Sequence, residues 1–133
     1  MRRSAASAEK MTRTFHRNEV VFEEGSEGHH MYLVIAGAVK IMKTTERGQA
    51  LLTTLGTGDM FGEMALLDSG IRTATAVAAE NETQLMAIDQ GRFVYLVSQQ
   101  PAFALSVMRV LARRLVTANA QVQHQLGERH EHQ

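Results

Sequence analysis

Cysteine is absent, and that alone removes several chemistries: no disulfide, no iron–sulfur cluster and no thiolate haem ligand. No apolar run approaches the ~20 residues of a membrane-spanning helix. Neither charge is in excess. Lys+Arg and Asp+Glu both number 14, so no overall field draws the chain to nucleic acid or membrane. The N-terminal stretch has Arg2 and Arg3 but no apolar segment behind them, which excludes a secretory signal. Internal repeats, low-complexity blocks and any Ser/His/Asp or Cys/His nucleophile arrangement are also lacking. A cytoplasmic globular domain is the expectation that remains. Its 133 residues suffice for one hydrophobic core, and 44% hydrophobic with 21% charged residues is ordinary for such a domain.

From Thr12 the hydrophobic period is two. Residues 12–17 and 20–23 read as short strands around a turn at Arg17 and Asn18, and Gly25 and Gly28 punctuate a loop. Residues 31–35 are almost continuously apolar, as in a strand covered on both faces, until Gly37 breaks the run. Residues 39–43 alternate, Glu46, Arg47, Gly48 and Gln49 make a hairpin tip, and 51–55 return. A turn at 56–59 precedes residue 61, and two more strands follow at 73–78 and 84–88. Many short strands between glycine turns predict a mainly β chain, a small antiparallel roll or barrel. After Asp89, a candidate N-cap, the period becomes helical, with Phe93, Val94 and Val97 on one face of a helix over 90–98. Pro101 suits a first helical position, and no breaker interrupts 102–126. The polar ends, 1–11 and 127–133, are expected to be flexible tails flanking one domain over 12–126, with the β-roll at 12–88 and helices at 90–126.

The densest chemistry lies in residues 61–78, F-G-E-M-A-L-L-D-S-G-I-R-T-A-T-A-V-A. A short helix opening near Gly62 leaves its first N–H groups without internal partners, and its dipole favours an anion there. Gly62 lets the backbone approach a ligand closely, and Arg72 offers a planar fork of donors that matches phosphate oxygens. Glu63, an acceptor only, suits a sugar hydroxyl instead. Phosphate together with a sugar hydroxyl means a nucleotide. A core-packing turn with a surface arginine is the plainer alternative for any one of these residues taken alone.

Metal and acid–base chemistry fare worse. His29 and His30 fall in a loop without the spacing of a cupin-type metal site, and His124, His130 and His132 lie in the C-terminal stretch with Glu128 and Glu131. Glu63 and Arg72 form a binding pair, and nothing is placed to activate a water. No catalytic residue, resident cofactor or metal is therefore assigned.

The whole 61–78 stretch resembles the phosphate-binding cassette of cyclic nucleotide-binding domains, whose pattern is F-G-E-x-A-L-hydrophobic, a variable loop, then R-[TSA]-A. Every fixed position is met; Ile71 departs, standing where members often carry proline. The segment Y-L-V-I-A-G-A-V-K-I likewise resembles two β-roll strands of that family joined by a glycine turn. The resemblance implies an antiparallel β-roll of jelly-roll type with a short phosphate-binding helix and a long C-terminal helix. It implies a ligand site of Phe61, Gly62, Glu63, Met64, Ala65, Leu66, Arg72, Thr73 and Ala74, with Asn119 near the base. It also implies cAMP as first ligand and cGMP, which a hydroxyl at Thr73 tolerates, as second.

The long helix carries Ala104, Met108, Leu111, Leu115, Ala118 and Val122 at heptad spacing, fit to pack on its own roll or on a second copy. The run S-V-M-R-V-L-A-R-R-L resembles the dimerisation helix of bacterial regulators in this family, which favours a homodimer. Arg109, Arg113 and Arg114 read as a solvated strip, not a DNA contact. Those regulators continue into a helix-turn-helix, for which the seven residues after Leu126 leave no room. The expectation is a stand-alone receptor that reads no DNA and signals to an unknown protein partner. Its rivals are an empty-pocket dimerisation module, a sensor piece of a longer regulator, and a metal-dependent cupin-like enzyme.

Overall fold

Alternating apolar and polar residues, with glycine or asparagine at the reversals, form eight strands between Thr12 and Asp89. The computed structural model describes residues 11–131, with side chains through Val116 except Ser69. The N-terminal tail expected over 1–11 thus lies, apart from Met11, outside the described residues. The strands are β1 (Thr12–Phe15), β2 (Val20–Phe22), β3 (His30–Ala36), β4 (Ala38–Thr45), β5 (Gly48–Gly56), β6 (Met60–Phe61), β7 (Thr75–Ala78) and β8 (Thr83–Asp89). They pair antiparallel as two four-stranded sheets, β1-β8-β3-β6 and β2-β7-β4-β5. The mainly β antiparallel roll expected above is what forms.

Several boundaries move for local reasons. The first strand ends at Phe15 because the chain reverses through Asn18, whose φ of 71° is left-handed and whose N–H donates to Ala78 O at 2.8 Å. The returning strand β7 starts at Thr75, two positions after the expected 73, since Thr73 and Ala74 still belong to the loop. Strand β6, only two residues long, has no periodicity to reveal it; it pairs Phe61 with Tyr32 and Met60 with Leu33. The core between the sheets is Tyr32, Val34, Val39, Phe61, Ala76, Leu85 and Ala87, joined by Phe15, Val21, Phe22, Ile41 and Leu55. On β3 the neighbours Met31 and Tyr32 are both buried though they point to opposite faces, as the apolar run required.

Two helices follow, α1 (Gln90–Gln99) and α2 (Pro101–Glu131). The Asp89 Oδ1 atom accepts from the Arg92 N–H at 2.8 Å, the N-cap contact expected of it. Val94 does not share a face with Phe93 and Val97: those two are half-buried, and it is 59% exposed. Adjacent helical residues stand a third of a turn apart, whereas i and i+4 align. The second helix continues past Leu126 and through Gly127, which weakens a helix but does not end it. The chain divides into two compact units, one up to Phe93 and one from Val94. Among the described residues no helix is long and apolar enough to cross a membrane.

One tight approach fastens the roll. Gly37 links β3 to β4 with φ +86°, and a Cβ there would lie 2.5 Å from Thr83 Oγ1 and 2.8 Å from Thr83 Cα. Thr83 is fully buried; its hydroxyl donates to Glu80 O at 2.8 Å and accepts the Ala38 N–H at 3.4 Å. A side chain at 37 must therefore push backbone as well as adopt a left-handed conformation. Gly37→Ala is expected to destabilise the fold by about 2–3 kcal/mol in urea unfolding. Gly56→Ala, with open space at its Cβ and no positive φ, should stay within about 0.5 kcal/mol of the parent.

Candidate functional site

Strand β6 delivers the cassette by burying Phe61, whose ring stacks on Tyr32 with centroids 5.4 Å apart. At Gly62 the chain takes φ +81°, and a Cβ would sit 2.8 Å from Arg72 Nη1. Glu63 is 1% exposed, its side chain buried. Residues 63–69 then wind helically. The helix expected to open near Gly62 begins one residue later and widens to i→i+5 bonding over Ala65–Ser69, closing at Gly70 with φ +74°. Ala65 is buried within it, while Met64 and Leu66 are half-buried.

The return limb is fastened to a loop that sequence reasoning treated as mere punctuation. Gly28 N–H donates to Gly70 O, Arg72 N–H to Ser26 O, and Gly25 N–H to Arg72 O, each at 2.8 Å. Glu27 and Ile71 form the bridge between the two limbs. Residues 23–28 thus act as a brace for Arg72. The two glycines in E-E-G-S-E-G were the available signal, since only close backbone approach requires glycine without a positive φ, as at Gly28.

Arg72 is 4% exposed. It meets backbone carbonyls: Nη1 donates to Gly62 O at 3.1 Å and Nη2 to His30 O at 2.7 Å. The guanidinium carbon lies 4.1 Å from the centroid of the Phe22 ring and 5.7 Å from that of Tyr32. Gly28 covers it so closely that a Cβ there would fall 2.1 Å from Nε. That Nε is buried with no hydrogen-bond partner among the described residues. Burial pulls the Arg72 pKa below its ordinary value, with Tyr32 opposing, yet a guanidinium stays charged at any working pH. The site therefore holds a buried cation met by neutral acceptors and rings.

Phe22, His30 and Gly28 are the partners that sequence reasoning missed. Of the residues it named, Phe61, Gly62, Glu63, Ala65 and Arg72 meet around this cation's turn, Met64 and Leu66 lie on the same turn, and Ala74 is half-buried beyond Arg72. Thr73 is exposed. Asn119 lies on α2, with its side chain outside the described residues. A groove of about 530 Å³ is lined by residues that include His29, Leu66, Asp68 and Asp89, but Arg72 does not line it. Among the described residues no three His, Asp or Glu side chains gather as metal ligands.

His30 ties the site to pH. Burial above all, then Arg13, holds its imidazole below the ordinary histidine value of 6.5; Asp89 opposes, and Arg72 and His29 add to the depression. Between the folded and unfolded values the unfolded chain binds more protons, so stability rises with pH across that window. On acidification below about pH 6.5 the parent should lose melting temperature relative to His30→Gln. A constant gap between the two proteins from pH 8 to pH 5 would refute this.

Comparison with known proteins follows the same geometry. The family model of the cyclic nucleotide-binding domain matches residues 12–100. The chain is 38% identical over 111 residues to the cyclic AMP receptor protein of Thermus thermophilus, covering 83% of this chain and 51% of that protein. It is 37% identical over 106 residues to the CRP-like cAMP-activated global transcriptional regulator of Mycobacterium tuberculosis, covering 79% and 47%. The crystal structure of the Thermus thermophilus catabolite activator protein superposes with a TM-score of 0.77 at 33% identity, over 92% of this chain and 58% of that one. The chain spans about half the length of the curated relatives it matches. With the matched stretch running from β1 through the whole cassette into α1, the chain belongs to the cyclic nucleotide-binding domain family.

Proposed function

We propose that this domain is a regulatory receptor for a cyclic mononucleotide, cAMP first and cGMP second, and not an enzyme. The observation that carries the reading is Arg72: a buried cation whose described partners are all neutral, and whose Nε–H meets no acceptor among the described residues. Such a charge is costly to enclose, and an anionic ligand offsets that cost where carbonyls only lessen it. Glu63, enclosed in the same turn, is assigned to a ribose hydroxyl, and Thr73 to the phosphate or the base edge. The relatives named above are cAMP receptors by their names, which supports the choice of ligand.

Ligand phosphate organises the 62–67 turn against Arg72, and the helices after Asp89 shift to a new docking, a change of population between two arrangements. The signal passes to a partner protein. In this reading α2 pairs with α2 of a second copy. Met108 is 58% and Leu115 64% exposed on the heptad stripe, apolar surface that a partner helix would cover. A sensor piece of a longer regulator is the same receptor in another setting. The competing class, an empty-pocket dimerisation module, draws on the same Arg72 contacts, since neutral groups already hold the guanidinium without ligand.

Isothermal titration with cAMP, cGMP and cyclic dinucleotides separates these. A receptor binds at least one mononucleotide at micromolar levels and is stabilised by it, by about 2.7 kcal/mol at a hundredfold excess over Kd, so that its melting temperature rises. Arg72→Ala is expected to weaken binding by about 3 kcal/mol, and Gly28→Ala, which drives a Cβ into Nε, to weaken it in the same direction. No binding by the parent chain, or unchanged binding by Arg72→Ala, defeats the receptor reading. For the assembly, sedimentation should give a dimer for the parent and a monomer for Leu115→Glu.

A further inference from the structure

The ladder between β4 and β7 stops at Met42 and Thr75, although β4 itself runs on beside β5 to Thr45. The stretch just before Thr75, with Arg72 and Thr73, has therefore left the sheet and must be held by other means. On one side the 23–28 brace holds it through backbone hydrogen bonds. On the other side Lys43 reaches across from β4, and its Nζ donates to the Thr73 carbonyl at 2.8 Å. The ammonium is itself aimed. Glu24 Oε2 stands 3.6 Å from Nζ, Glu24 Oε1 accepts the Thr44 N–H at 3.0 Å, and the Glu24 N–H donates to Thr75 Oγ1 at 2.9 Å. The Thr44 amide, more than Lys43, holds the Glu24 carboxyl below the ordinary carboxylate value, against a smaller opposing effect of burial. Glu24 thus ties together β4, the brace and the start of β7, its carboxylate on Lys43 and Thr44 and its backbone N–H on Thr75.

We propose that Lys43, seated on Glu24, is a positioning residue for the anion site: it fixes the Thr73 peptide and so the direction in which Arg72 and Thr73 meet a phosphate. The proposal rests on the receptor reading of that site. Exposure argues that the contact serves geometry more than stability. The two side chains are 46% and 27% exposed, and ion pairs so placed contribute about 0–1 kcal/mol to folding. The Thr73 carbonyl, in contrast, belongs to the residue that follows Arg72 and lies where the sheet ladder no longer constrains the backbone. Removing the latch leaves the roll intact and lets the peptide turn.

The test is isothermal titration of cAMP and cGMP, with nucleotide-free melting measured in parallel. Lys43→Met keeps the aliphatic stem and removes the donor. Its cAMP affinity is expected to fall roughly tenfold, the worth of one hydrogen bond to a charged group. Its nucleotide-free melting temperature should stay within about 1 °C of the parent. Lys43→Arg restores binding because a guanidinium still donates to the carbonyl. Glu24→Gln weakens binding by a smaller factor, and adding it to Lys43→Met changes nothing more, since both act through one contact. Parent-like affinity in Lys43→Met overturns the proposal, as does a loss of affinity matched by a loss of nucleotide-free stability. If the parent chain takes up neither nucleotide, the receptor reading itself fails, an outcome distinct from retained binding in Lys43→Met.

Discussion

The enclosure of one positive charge organises this molecule. Bringing a guanidinium out of water carries a penalty of several kcal/mol unless its donors and its field are met. Here the meeting is done by two carbonyls, at Gly62 and His30, and by the face of Phe22. These come from the end of β6, the start of β3 and the end of β2, so no single segment makes the site. The aromatic core continues the arrangement, for Phe22 packs tilted on both Tyr32 and Phe61 with centroids about 6 Å apart. Site and core share side chains, and a change in one is felt in the other.

That sharing explains what could be read from the sequence and what could not. The glycine-punctuated strands and the cassette were legible because their signals are local: period-two alternation, Gly62 before an apolar turn, an arginine ten residues later. The destination of the Arg72 side chain was not, because backbone carbonyls exist at every position and carry no sequence signature. His30 lies 42 residues from Arg72, and nothing in its identity marks its carbonyl as an acceptor. Gly28 was visible as a glycine, but its reason for being one is the guanidinium packed against it. The helical turn was legible in kind and not in pitch, since five residues of wider winding differ from a short α-turn only in how the chain is anchored at its ends.

Two kinds of fastening meet at the cassette. Backbone hydrogen bonds from the 23–28 brace fix its return limb with geometry that few substitutions can alter. Side-chain contacts from Lys43 and Glu24 fix the next peptide, and those depend on residue identity. Under the receptor reading proposed above, a domain that holds its ligand and responds to it benefits from this division: the firm fastenings keep the site in place and the softer one yields.

The first strand pairs with the last, Thr12 opposite Met86 and Phe15 opposite Thr83. A sheet closed in this way brings together residues most of a domain apart, and such distant pairings form slowly compared with local turns. During synthesis the β1-β8-β3-β6 sheet has no complete form until β8 has been made, and β3, whose first residue His30 meets Arg72, lacks one neighbour before then. The nascent chain passes through a period in which its charged centre is open to water and its aromatic core is unshielded. The two ends of the strand-forming stretch meet last, with the closing of the roll.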